Sequence, residues 1–170
     1  MNFLGALLKI ILVTFSFILI SISAFSQNKH PENKESKERD VQLRTFQKQR
    51  EKFNKQNERA GEIINQIKMA ISKNDVESLS AYLSAQTYLN LPNGISGYYS
   101  SNQAYFVLED FLKTYRMTSF GFNEINTSGN NPFATGNYDY EFKGKRGYAH
   151  IYLQLRNSGK SWTITQITIN

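Results

Sequence analysis

From Met117 onward the chain alternates apolar and polar residues with a period of two, and before it the apolar residues recur at helical spacing. Ile63, Ile64, Ile67, Ala70 and Ile71 fall on one face of a helix over 62–73. Asn74-Asp75 ends it, and Asp75 is placed to cap a second helix over 76–85, with Val76, Leu79, Tyr82 and Leu83 inward. Residues 87–91 alternate like a strand, and Pro92-Asn93-Gly94 closes it. Tyr98-Tyr99 adds a short extended piece. Ser100 and Gln103 have the spacing of a capping box before a helix over 101–116, whose inward residues are Ala104, Val107, Leu108, Phe111, Leu112 and Tyr115. Four strands follow, over 118–127, 133–143, 147–157 and 161–169. Gly144–Gly147 and Asn157–Lys160 supply the turns. In the third of these strands Ala149, Ile151, Leu153 and Leu155 face one way, and Tyr148, His150, Tyr152, Gln154 and Arg156 the other. The order helix, helix, strand, helix, then a four-strand antiparallel meander predicts an α+β domain with the helices packed on a curved sheet.

The first residues have a different character. The run Ile10–Ile22 carries no charge, and Ala24-Phe25-Ser26 sets small residues three and one before Gln27. This predicts a signal peptide over 1–26, cut near Ser26/Gln27, and a periplasmic or secreted protein. The alternative is an uncleaved anchor, which is the only membrane association expected. The uncharged run is shorter than the roughly 20 residues a crossing needs. Residues 27–40 contain one apolar ring, that of Pro31, and no large apolar side chain, so they are expected to be unordered. Residues 41–60 are charged helix formers with Val41, Leu43, Phe46 and Phe53 as a narrow apolar stripe. The organisation expected is therefore a signal (1–26), a charged disordered or helical arm (27–60) and an α+β domain (61–170).

The full chain of 170 residues has a formal charge of +6. Residues 28–60 hold ten Lys/Arg against six Asp/Glu, while 61–170 hold nine against eight, so the excess lies in the arm. Mixed signs and export argue against nucleic acid as a partner. Cysteine is absent and histidine occurs only at 30 and 150, which removes disulfides, thiolate chemistry and histidine-rich metal sites. No phosphate loop, dinucleotide fingerprint or nucleophile elbow is present, and no cofactor is expected.

Particular residues resemble a known family. They are the segment Asn74–Leu83, the Leu89-Asn90-Leu91-Pro92 strand end, Gly97-Tyr98-Tyr99-Ser100, Ala104–Phe111, Gly136, the strand Tyr148–Leu155 and the closing Trp162–Ile167. Over about 62–170 the chain resembles small exported bacterial proteins of unknown function within the nuclear-transport-factor-2-like (cystatin-like) superfamily. The resemblance implies a nuclear-transport-factor-2-like α+β cone. That superfamily holds both enzymes and non-catalytic dimerising modules, and the branch resembled supplies no catalytic residues to carry over.

Three functional readings follow from the residues. The first is a non-enzymatic interaction module that associates with itself, or with an envelope protein, through a sheet face carrying Tyr148 and Tyr152. Tyr138 and Tyr140 are further candidates for ligand or interface contact, all ten tyrosines lying at or after Tyr82. The second is a small isomerase, dehydratase or hydrolase with His150 as base and Asp139 or Glu141 orienting it. The third is a binder of an apolar small molecule inside the cone.

Overall fold

A computed structural model describes residues 34–159 and 161–170. The predicted signal, its cut site and residues 27–33 lie outside the described residues. Residues up to Arg50 and residues Glu51–Asn170 form separate compact units. Helix α1 (Lys34–Ser72) runs through both stretches without interruption at Gly61. It begins inside the segment expected to be unordered, because Lys34–Asp40 is composed mainly of straight-chain Lys, Glu and Arg, which lose little freedom in a helix. In the first unit Val41, Leu43 and Phe46 are exposed, as is every other residue over 36–50. None of the helices among the described residues is long and apolar enough to cross a membrane.

In the second unit Ile64, Ile67, Ala70 and Ile71 of α1 are buried, as their spacing predicts; Ile63 is only partly buried, and Ala60, before the predicted stripe, is buried too. Asn74, in a left-handed conformation (φ 53°), turns the chain out of α1. Asp75 then accepts bonds from the Ser78 amide (3.0 Å) and hydroxyl (2.6 Å). These bonds, the hydroxyl's first, hold its carboxyl below the ordinary aspartate value. The helix so capped, α2 (Val76–Ser80), is shorter than the expected 76–85. Strand β1 (Leu83–Asn90) starts four residues earlier than expected because Leu83 pairs with Ile164 in the sheet. A short β2 (Ser96–Ser100) follows, then α3 (Ser101–Thr114), on which both halves of the Ser100–Gln103 capping box are made.

Strands β3 (Arg116–Asn126), β4 (Phe133–Phe142), β5 (Lys145–Asn157) and β6 (Trp162–Ile169) form the expected antiparallel meander. The complete sheet has the order β2-β1-β6-β5-β4-β3. β1 joins β6 in parallel, with a break in register between Leu83 and Tyr88. Inside that break lies Thr87, fully buried, whose hydroxyl donates to the Ile164 carbonyl at 3.0 Å. Lys143 and Gly144, both at positive φ, make the β4–β5 turn. Gly147 is not part of that turn as expected. It lies in β5 beneath the Tyr140 ring, where a Cβ would come within 2.4 Å of the ring carbons.

The core closes between the helices and one face of the sheet. Ala149, Ile151, Leu153 and Leu155 are all buried, together with Leu108 and Phe111 of α3 and Ile164, Ile167 and Ile169 of β6. β3 pairs with β4 through two register shifts and comes very close to it at Gly136. At that crossing a Cβ on Gly136 would sit 1.9 Å from the Gly121 carbonyl oxygen and 2.7 Å from the Phe122 Cα. Backbone cannot yield as a side-chain tip can. Gly136→Ala is therefore expected to lower stability by about 3 kcal/mol, the upper end of overpacking costs. Gly121→Ala, whose Cβ would meet nothing within 4 Å, should leave the urea midpoint nearly unchanged. Equal midpoints for the two variants would refute the close-approach argument.

Candidate binding face

The side of the sheet away from the core is built from alternate residues of five strands, and the registers align them in rows. Tyr98, Tyr88, Gln166, Gln154 and Phe133 stand opposite one another in turn across β2, β1, β6, β5 and β4. The next row is Ser96, Asn90, Thr168, Tyr152 and Thr135. His150 faces Asn137 in a third row, and Tyr148 faces Asp139 in a fourth. The first three rows carry no Asp, Glu, Lys or Arg on these strands. The nearest charges are peripheral: Asp139 in the fourth row, Arg156 opposite Thr163, and Glu124 on edge strand β3.

Rings cluster on this face. Tyr88 and Tyr98 meet edge to face at 5.1 Å, Phe133 and Tyr152 stack at 5.8 Å, and Tyr148 meets the His150 imidazole edge to face at 5.0 Å. Tyr98 is 73% exposed and Tyr148 58%. The polar atoms are partly tied to each other. The Gln154 amide donates to the Tyr152 hydroxyl at 3.1 Å, and the Gln166 amide donates to the Thr168 hydroxyl at 3.0 Å. A recess of about 250 Å³ opens among Asn123, Thr135, Asn137, His150, Tyr152 and Asn170.

The acid/base arrangement considered from the sequence is not assembled. His150 is exposed, and its ring lies 3.3 Å from the Tyr148 hydroxyl, which itself donates to Asn137 Oδ1 at 3.0 Å. The residue opposite His150 is Asn137; Asp139 stands one row on, against Tyr148, with its Oδ1 buried and without a hydrogen-bond partner. Glu141 lies at the far end of β4 and pairs with Arg116 at 2.8 Å. A side-chain period of two separates 137, 139 and 141 along the strand, so only one of them can face His150.

Two of the four tyrosines proposed for contact belong elsewhere. Tyr138 is fully buried on the inner face, with its hydroxyl donating to the Tyr115 carbonyl at 3.1 Å. Tyr140 is half-buried, packed edge to face on Tyr115. Both are on the opposite parity of β4 from Asp139 and Glu141, so they fill the core rather than offer a contact surface. With Leu108, Phe111, Phe120 and Phe122 they occupy the space beneath α3, where an apolar ligand had been considered. Tyr88, Tyr98, Phe133, Gln154 and Gln166 join the face only through strand register. Their alternation along each strand was visible in the sequence, but nothing in it aligned one strand against another.

Comparison with known proteins places these features in context. A family model described as a domain of unknown function, DUF4783, matches residues 64–170. A DUF4783 family protein from Bacteroides uniformis is similar in backbone with a TM-score of 0.56 at 19% identity, over 62% of this chain and 94% of that one. One from Bacteroides fragilis gives 0.53 at 21% identity, over 61% and 93%. A nuclear-transport-factor-2-like protein from Burkholderia thailandensis gives 0.52 at 15% identity, over 65% and 88%. At these identities the likeness to solved structures is one of fold. No curated protein matches the chain.

Burial raises the Tyr138 phenol well above its ordinary value of 10.0. The folded state therefore holds this proton when the unfolded chain releases it, and the stabilisation present below pH 10 is lost as pH rises further. Tyr138→Phe should lose about 1 kcal/mol at pH 8, the net worth of its hydrogen bond. Its stability should also fall less steeply than the parent's between pH 9 and 11. Parallel slopes in denaturant titrations across that range would contradict this.

Proposed function

The chain belongs to the DUF4783 family, domains of unknown function with a nuclear-transport-factor-2-like fold, and on that basis we propose that it is a non-catalytic interaction module acting outside the cytoplasm. Its working surface is the outer face of the sheet, through which two copies pair. The observation that carries this reading is the set of three rows whose residues on these strands carry no charged side chain, with the exposed rings of Tyr98 and Tyr148 on the same face.

A surface that pairs with its own copy must tolerate itself across a two-fold axis. Like charges near that axis would repel in a low-dielectric contact. Here the charges stand at the margins, and the centre is Gln, Thr, Asn and Tyr. Tyr148 and Tyr152 supply large, stiff area with a polar tip, the kind of side chain that anchors protein interfaces. The aromatic filling beneath α3 and the exposed His150 both favour a surface role over an interior ligand site or acid/base catalysis.

Sedimentation equilibrium on the purified protein is expected to give a mass that rises with concentration toward that of a dimer. Tyr148→Ala combined with Tyr152→Ala should raise the dissociation constant at least tenfold, about 1.4 kcal/mol, with an unchanged circular dichroism spectrum. A strict monomer at the highest concentration reached, indifferent to these substitutions, would refute pairing through this face.

A further inference from the structure

We propose that the same rows bind a neutral polysaccharide chain laid across the strands, in competition with the second copy, a reading that rests on the outer sheet face being the working surface. The chemistry of the first row fits sugar rings. Tyr98 and Tyr88 stand at one end and Phe133 at the other, with the amides of Gln166 and Gln154 between them. A pyranose offers one face of C–H groups and a rim of hydroxyls. The C–H face packs on an aromatic ring, and the rim exchanges hydrogen bonds with groups that both donate and accept. Glutamine, threonine and tyrosine do both; carboxylates and ammonium groups do not.

Geometry supports the same occupant. Neighbouring strands are about 4.8 Å apart, so the five side chains of the row span about 19 Å. One strand spacing is close to the advance per residue of an extended hexose chain, so successive sugars would meet successive side chains. The recess beside His150 and Tyr152, about 250 Å³, is on the scale of one sugar ring and lies at the border of the second and third rows. Charge sets the selectivity: with no cation in the first three rows, and Asp139 and Glu124 set against Arg156 at the margins, a polyanion gains little by lying along them. Antiparallel β faces with exposed rings serve as oligosaccharide platforms in other folds.

The test is affinity electrophoresis of the purified protein in native gels containing hydroxyethyl cellulose, galactomannan or alginate. Retardation by at least one of the neutral polymers is expected, whereas any retardation by alginate comes from the net-positive arm over 28–60 and is unchanged by substitutions on the sheet face. Tyr98→Ala with Gln166→Ala should weaken retardation by the neutral polymers at least fivefold, while leaving the thermal midpoint unchanged. Retardation by the neutral polymers indifferent to the two substitutions, or retardation by alginate weakened by them to the same degree, would overturn the proposal. Absence of retardation by both neutral polymers would also overturn it. If the protein then still pairs in a manner sensitive to Tyr148 and Tyr152, the sheet face remains its working surface and the occupant is a second copy. If it is also a strict monomer, both readings fall.

Discussion

Ala149, Ile151, Leu153 and Leu155 of β5 are the floor on which the rest of the second unit closes. Each large side chain among them contributes about 1.5–3 kcal/mol when removed from water. Because a strand alternates strictly, burying these four forces Tyr148, His150, Tyr152 and Gln154 onto the other side. The outer face is thus a by-product of the core's own requirement. A register slip of one residue would expose the first set and bury the second, so the two faces are specified together.

The neighbours of β5 extend that division in different ways. On β4 the inward residues are Ala134, Gly136 and Tyr138. The missing side chain at Gly136 lets β3 cross closely, and the large ring of Tyr138 fills the space under α3 with Phe111 and Phe120. On β6 and β1 a break in register adds residues without losing the apolar face, and the buried Thr87 hydroxyl donates to the Ile164 carbonyl across it. Such a buried hydroxyl left bare would cost about 1–3 kcal/mol. The close approach at Gly136 and the ring of Tyr138 thus serve the core side, while the strand registers align the residues of the outer rows.

That alignment bears on function. Hydroxyl and amide groups in aligned rows present repeated, similar contacts rather than a single enclosed site. An acid/base centre needs the reverse: converging groups held away from water. His150 beside Asn137 and Tyr148 is a polar contact on an open surface. Repetition suits either a second copy presenting the same rows or a polymer with a repeating unit.

The meander, the α3 helix with its capping box, the apolar stripe of α1 and the inward set on β5 were all legible in the sequence. They depend on side-chain period and on contacts a few residues apart. The early start of β1, its parallel partner β6, the burial of Tyr138 and Tyr140, the ring over Gly147 and the pairing of Glu141 with Arg116 were decided only by tertiary structure. So were the rows themselves. Periodicity states which residues share a face of one strand, but register between strands is fixed by where bulges fall and by how the core packs. Those are non-local constraints that no single stretch of this chain contains.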